Sequence, residues 1–364
     1  MTAPAPTRTA LVIPSNRSVS LSAWLLAWRP FPWDDTIVVF DDKAWDGDRD
    51  LLLHTGANLV LDWSHADDME KEARGLVVPL FSRRDSAIRC LGFLEAVRRG
   101  AQVVLTLDDD CLPRVGPKAF LNQHVHNLSG RDVWASTVPG MRTRGLPYRL
   151  PRDDRPVALS MGLWSGHPDQ DAACQLREPV TGFEPPPGVR LMHPDQLFPL
   201  CGMNLAFRRE LLPAMYFPFM GEGSPYARFD DIWCGLVSQT VCATLGWGVV
   251  VGEPHVRHAR ASDPMRNLVK EAPGVAAHEQ FWRMFRREEI AGLSAGDTPG
   301  ETVRKLADHL VRVGPRSPDP NYVTRWGHRL TAWAKLAECA LSGGPSSAGR
   351  TEAPPGRSSR RRAR

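Results

Sequence analysis

Three short apolar runs constrain this chain most, because two of them stop on carboxylates. The runs are TALVIP (9–14), TIVVF (36–40) and QVVLTL (102–107); the second leads straight into Asp41-Asp42 and the third into Asp108. Each is short, rich in β-branched residues and bounded by proline or charge, the pattern of a buried strand. Residues 21–28 read as a helix between the first two. Residues 85–99 carry apolar side chains at 88, 91, 94 and 97, a helical period that leads into the third. Strand, helix, strand, helix, strand implies an α/β fold with a parallel sheet. In such sheets ligands sit beyond the carboxyl ends of the strands, where Asp41 and Asp108 fall.

Further along, residues 203–207 and 247–251 read as strands, and 208–212 as the start of a helix. Residues 230–245, 276–291, 300–312 and 322–341 read as helices. The stretch 130–200, rich in Pro, Gly and Arg, gives no clear period. The expected organisation is a flexible leader (1–8), a main domain (9–290), a C-terminal helical extension (291–342) and a disordered basic tail (343–364).

The net charge of +4 is concentrated in that tail, which holds six arginines and one glutamate; the chain before it is close to neutral. That argues against a nucleic-acid-binding face. No apolar run reaches the roughly 18 residues needed to span a bilayer, and residues 1–9 lack a signal-peptide core. A cytoplasmic protein without a membrane partner is the expectation. The seven cysteines are scattered without a CxxC pair, so neither a disulfide framework nor a zinc knuckle is indicated.

The acidic run Asp108-Asp109-Asp110 is the strongest chemical signal. On extended backbone Asp108 and Asp110 share a side, and two hard oxygen donors there suit Mg²⁺ or Mn²⁺ bridging a diphosphate; a solvated acidic turn is the alternative. In Phe229-Asp230-Asp231-Ile232-Trp233, Asp230 can cap the following helix, while either aspartate can serve a sugar hydroxyl or catalysis. His255 and His258 follow the 247–251 run, and an imidazole there can complete a metal shell. Arg84, Arg89, Arg144, Arg149 and Arg152 are candidate diphosphate contacts, since guanidinium forks match phosphate oxygens. Gly202 and Asn204 offer close backbone approach and an amide for a sugar hydroxyl, and Trp164 a stacking face.

Taken together, these stretches resemble the reversibly glycosylated polypeptides of plants, which include the UDP-arabinopyranose mutases. The resembling blocks are VIPSNRS (12–18), AWRPF (27–31), RDSAIRC (84–90), LTLDDDC (105–111), SMGLW (160–164), LFPLCGMNLAFRRELLPAMYF (197–217), MGEGSPYARFDDIW (220–233) and HARASDP (258–264). The resemblance implies a GT-A type glycosyltransferase fold, with a Rossmann-like, mostly parallel sheet and flanking helices. It implies a UDP-sugar substrate, Mn²⁺ or Mg²⁺ as cofactor, and pyranose–furanose interconversion with reversible self-glycosylation at an arginine, best matched by Arg152. It places metal and β-phosphate at Asp108 and Asp110, with His258 as third ligand. It places uridine at Asp41, further substrate contacts at Arg17, Arg84, Asp85, Arg89, Trp164, Gly202 and Asn204, and the sugar at Asp230 or Asp231. Departures fall on the sugar side: Asp41-Asp42-Lys43 replaces the family's Asp-Gly-Asp, and Met161 stands where the family has histidine. A transferase using an external acceptor and a non-catalytic UDP-sugar-binding subunit remain the alternatives, and either a homo- or a hetero-oligomer is compatible.

Overall fold

The structure, a computed structural model, describes residues 7–42, 49–72, 79–132, 144, 154–221, 223–259 and 263–343. Its strands in chain order are β1 (Thr9–Ser15), β2 (Asp35–Phe40), β3 (Leu59–Leu61), β4 (Val103–Leu107), β5 (Cys111–Pro113), β6 (Arg131–Asp132), β7 (Asp154–Arg155), β8 (Val157–Gly166), β9 (Val189–Leu191), β10 (Asn204–Arg208) and β11 (Gly248–His258). Strands β6 and β7 pair only with each other. The other nine form one sheet in the order β3-β2-β1-β4-β10-β8-β11-β5, with β9 also on β11. The first four neighbours run parallel, as the strand–helix alternation predicts. Beyond β4 the sheet becomes mixed, because β10 runs antiparallel to both β4 and β8.

The chain order reverses between β1 and β4. Strands β2 and β3 lie on one side of β1, and β4 lies on the other. Loops leaving the carboxyl ends of β1 and β4 therefore diverge and leave a crevice, the position where open α/β sheets bind ligands. Strand β1 ends at Ser15 and β4 at Leu107, so the segments 15–17 and 108–110 form the two lips.

Each parallel strand is buried on both faces. Helix Arg89–Arg98 packs its apolar side on the sheet, and Gly92 lies so close that a Cβ there would meet Val12 Cγ1 at 2.4 Å. The helices Pro299–Val313 and Pro320–Ser342 share one apolar cluster with the sheet, through Leu306, Trp326 and Trp333. Helix Pro299–Val313 opens with a full capping box between Thr298 and Glu301. No described helix is long and apolar enough to cross a membrane.

Several elements differ from the sequence reading. Residues 276–291 are not one helix: Pro264–Phe281 ends there and two 3-10 turns follow, Trp282–Phe285 and Arg287–Glu289. Strand β11 extends seven residues past the expected end at Val251, kinked beyond Gly252 where its register with β8 shifts. Strand β8 crosses a region that showed no period, since it is buried over most of its length and has no polar face to alternate with. Among the cysteines, Cys174 and Cys339 are exposed and the other five are buried thiols.

A buried polar knot ties β8, β10 and β11 together. His124 bonds to Ser160 Oγ and Asn204 Oδ1, both at 3.0 Å, while Asn204 Nδ2 donates to the carbonyls of Leu163 and Pro254 at 3.1 and 2.9 Å. Gly162 is required beside it, because a Cβ would lie 2.1 Å from Asn204 Nδ2. Burial pushes the His124 imidazole down to about 4. The unfolded chain then binds the extra proton between that value and the model-peptide value, so this contribution is complete above about pH 6.5 and is lost as pH falls towards 4. The loss is about 3 kcal/mol over that window. Urea midpoints of the wild type should fall with acidification more steeply than those of His124→Gln; parallel curves would contradict a neutral His124.

Candidate active site

The two lips of the crevice are joined by Asp109. Its carboxylate is buried, accepts from Ser15 Oγ at 2.5 Å and from Arg17 Nε at 3.2 Å, and forms an ion pair with the Arg17 terminal nitrogen. Arg17 thus turns towards the acidic run, with its outer nitrogen 3.5 Å from Asp110 Oδ2. The exit of the run is fixed by two indoles: Trp24 and Trp28 both donate to the Cys111 carbonyl, at 2.6 and 3.0 Å. These contacts account for the VIPSNRS and AWRPF blocks as the scaffold of the acidic loop.

With Asp109 turned inward, Asp108 and Asp110 remain partly exposed, at 30% and 23% of their side chains. Asp108 accepts from Arg89 at 2.6 Å. Asp110 lies 3.8 Å from His258 Nε2. The pairing of His258 with Cys111 across β11 and β5 holds that distance, and Ala259 N–H donates to the Asp110 carbonyl at 3.1 Å. Burial, then the charge of Asp108, raises the Asp110 carboxyl above its ordinary range.

The fit to a divalent cation is specific but partial. His258 Nδ1 donates to the His167 carbonyl at 2.8 Å, which in the neutral ring leaves Nε2 as a lone pair directed at Asp110. A backbone carbonyl behind the imidazole is the usual support of a metal-ligating histidine. No group of three His, Cys, Asp or Glu side chains within ligating reach exists among the described residues. The chain therefore offers two donors, Asp110 and His258, with Asp108 adjacent. Mg²⁺ and Mn²⁺ accept that arrangement when substrate phosphates and water complete the shell.

Beside the acidic run lies a cleft of about 180 Å³, the expected nucleotide cleft, whose lining includes Ser15, Arg17, Asp41, Arg84, Asp85 and Asp108. Asp41 Oδ1 accepts from Trp63 Nε1 at 2.7 Å and from Arg84 N–H at 2.9 Å. Burial raises its carboxyl. Asp85 caps the turn at Ser86–Ile88, accepting from Ala87 N–H at 3.0 Å and from Ser82 Oγ at 2.6 Å. Arg84 takes φ of +63°, a conformation a non-glycine residue rarely adopts without reason. In Arg84→Gly that strain is relieved while an exposed guanidinium is lost from the cleft. The melting temperature should hold or rise, by up to a few degrees, while UDP affinity falls on the order of tenfold. Calorimetric titration with UDP checks this, and undiminished affinity would remove Arg84 from the site.

Asp230 and Asp231 open the helix Asp230–Thr244. Asp230 is buried and accepts from Ser86 Oγ at 2.7 Å; Asp231 accepts from Gly202 N–H at 3.0 Å. Burial raises both carboxyls, and for Asp231 the neighbouring Asp230 adds to it. Asp231 is the more accessible of the two, and neither lines the 180 Å³ cleft.

Three residues expected to touch ligand are otherwise engaged. Arg89 is 1% exposed and donates to Ser86 O, Thr106 Oγ1, Gly202 O and Asp108, so it orients Asp108 and does not reach a phosphate. Asn204 is fully buried in the knot with His124, and both of its N–H donors are taken by backbone carbonyls. Gly202 provides close approach to Arg89, whose Nη1 would lie 2.8 Å from an added Cβ. Trp164 is half-buried on β8, with its ring nitrogen buried and unpartnered among the described residues. His255 lies on β11, three residues before His258, and burial lowers its pKa. Arg149 and Arg152 lie outside the described residues; Arg144 is exposed. Met161 faces inward, with its sulfur accepting from Cys201 N–H at 3.2 Å. A larger hollow of about 730 Å³, lined in part by Leu197, Phe198, Gln239, Trp282 and Arg286, contains none of the strand-end acids. The strand-end acids Asp41 and Asp108 line the smaller cleft.

The sheet with its strand-end crevice and acid-lined lips defines an α/β protein with the layout of a GT-A type nucleotide-sugar enzyme. The chain belongs to the family described as "Reversibly glycosylated polypeptide", which it matches over residues 7–339. "UDP-arabinopyranose mutase 3" of Arabidopsis thaliana is 32% identical over 349 residues, covering 90% of this chain and 91% of that protein. "Probable UDP-arabinopyranose mutase 1" of Solanum tuberosum is 32% identical over 342 residues, covering 89% and 88%. Among solved structures, a putative nucleotide-diphospho-sugar transferase from Desulfovibrio desulfuricans overlaps with a TM-score of 0.33 at 9% identity, over 79% of this chain and 96% of that one.

Proposed function

We propose that this protein is a UDP-sugar mutase that interconverts the pyranose and furanose forms of a UDP-pentose of the arabinose type. The observation that carries the reading is the match along nearly the whole chain to proteins named for that activity. The crevice between β1 and β4 supports it, since it holds the acidic run where a diphosphate would lie. Asp41 and the Arg84 backbone take the uridine end. Asp110 and His258, with Asp108 beside them, hold Mn²⁺ or Mg²⁺, which when bound offsets the charge gathering on the departing diphosphate. Arg17, already at Asp109 and Asp110, is the guanidinium nearest the diphosphate and adds to that stabilisation. Asp230 and Asp231 accept from sugar hydroxyls or take up a proton from them, a task suited to carboxyls that burial raises. Arg152 is assigned, by resemblance alone, as the side chain that holds the sugar between departure and return of UDP.

Incubation with UDP-arabinofuranose and Mn²⁺, followed by chromatography, tests the reading. UDP-arabinopyranose should appear without added acceptor. Recovery of only unchanged substrate across pentose and hexose donors would overturn it. Product that requires an added acceptor would instead indicate a transferase.

A further inference from the structure

The segment after β8 carries no sequence signal, yet it lies against the same crevice. Gly166 ends β8 and pairs with His258 at the end of β11. The next residue, His167, accepts from His258 Nδ1 at 2.8 Å. Five residues later, Ala172 N–H donates to Glu271 Oε2 at 2.8 Å, and the other oxygen of Glu271 holds Arg228 Nε at 2.7 Å. Asp169 lies between these two fixed points. One residue, Pro168, separates it from His167, so its backbone lies within about 7 Å of the carbonyl that supports His258.

Asp169 is solvent-exposed, yet it sits among charged groups from four other parts of the fold. It accepts from the Cys201 thiol and feels Arg228, His258 and Asp108. Asp231, one residue from the Phe229–Asp230 corner, feels Asp169 in turn. Enclosure by protein raises the Asp169 carboxyl, against the lowering effect of the Cys201 thiol, Arg228 and His258. Asp169 lies on the His258 side of the acidic run and is not among the residues that line the nucleotide cleft.

Arg228 supplies an independent observation. It and Arg84 are the non-glycine residues with positive φ among those described, each at +63°. Arg84 lines the nucleotide cleft and Arg228 faces Asp169 from the other end. Glu271, which fixes Arg228, is itself buried. Backbone strain of this kind persists where neighbours over-determine a conformation and tends to gather at functional sites.

We propose that Asp169, oriented by the Arg228–Glu271 pair, accepts hydrogen bonds from ring hydroxyls of the sugar in the crevice and so sets which UDP-sugar is turned over. The assignment rests on the nucleotide-sugar reading above and adds its sugar-side end. Asp169 is the recognition residue, and Arg228 is a positioning residue acting through it.

The test uses the full chain with Mn²⁺, measuring UDP affinity by calorimetry and kcat and KM with UDP-arabinofuranose. In Asp169→Asn, UDP affinity should stay within about twofold and the melting temperature should be unchanged, while kcat/KM falls on the order of tenfold or more. Arg228→Lys keeps the charge and loses the Nε geometry, so it should show the same split to a smaller extent. Asp169→Asn with wild-type kcat/KM overturns the inference and leaves the mutase reading standing. Equal losses of UDP affinity and turnover also overturn it, since Asp169 would then serve the nucleotide or metal end. A wild-type protein that binds no UDP and converts no UDP-sugar refutes the mutase reading itself.

Discussion

Asp110→Asn is expected to abolish Mn²⁺-dependent binding of UDP and to lower turnover at least a hundredfold. Of the acidic run, Asp110 is partly exposed and the most loosely held: Asp108 accepts from Arg89 at 2.6 Å and Asp109 is paired closely with Arg17, whereas Asp110 meets Arg17 only at 3.5 Å. It also faces His258, whose far nitrogen is supported by the His167 carbonyl. Asparagine keeps the shape but replaces an anionic donor by a weaker neutral oxygen. With two protein donors in reach, losing the charged one halves the protein's share of the shell. Without the cation, the carboxylates around the crevice repel a diphosphate. Titration of UDP with and without Mn²⁺ separates the effects: metal-free affinity should be weak in both proteins, and the gain on adding Mn²⁺ should vanish in the variant. An Mn²⁺ response equal to that of the wild type would remove Asp110 from the metal site. His258→Ala should give the same pattern to a lesser degree, since it removes a neutral ligand.

The parallel half of the sheet was legible in the sequence because it follows simple local rules. TALVIP, TIVVF and QVVLTL are continuous apolar runs, and strands buried on both faces show that pattern. The carboxylates at their ends mark the crevice in the sequence itself. What local pattern could not reveal was which side chains turn inward. Arg89 and Asn204 looked like ligand contacts from their types, yet each completes a buried polar network whose partners lie 113 and 80 residues away. Asp169 went unnoticed for the reverse reason. It sits in a proline- and glycine-rich stretch without periodicity, and only the pairing of β8 with β11 carries it to the acidic run. The sign of a residue's role is set by tertiary partners, and those are not written in its neighbours.

Arg89→Met should be the most destabilising single change at the site, costing about 3–5 kcal/mol. The guanidinium is buried and stacked over Phe217, and its donors meet the carbonyls of Ser86 and Gly202, the Thr106 hydroxyl and the Asp108 carboxylate. Methionine fills much of the volume but leaves those acceptors without donors and the surrounding aspartates without their cation. Set against a typical stability of 5–15 kcal/mol, the loss would shift the urea midpoint substantially. The effect should also depend on pH in a definite direction. Asp230 and Asp231 have carboxyls raised in the folded state, and Arg89 is one of the groups that restrain the rise. A carboxyl whose pKa is higher folded than unfolded takes up a proton on folding, so its contribution is present below the unfolded value near 4 and is lost as pH rises through the folded one. Removing Arg89 moves the folded values further up and deepens that loss. The gap between Arg89→Met and wild type should therefore be larger at pH 8 than at pH 5. Arg89→Met combined with Asp108→Asn should recover part of the gap, because the uncompensated charge nearest the lesion has been removed. A midpoint for Arg89→Met equal to that of the wild type at both pH values would contradict this account of how the acidic loop is held.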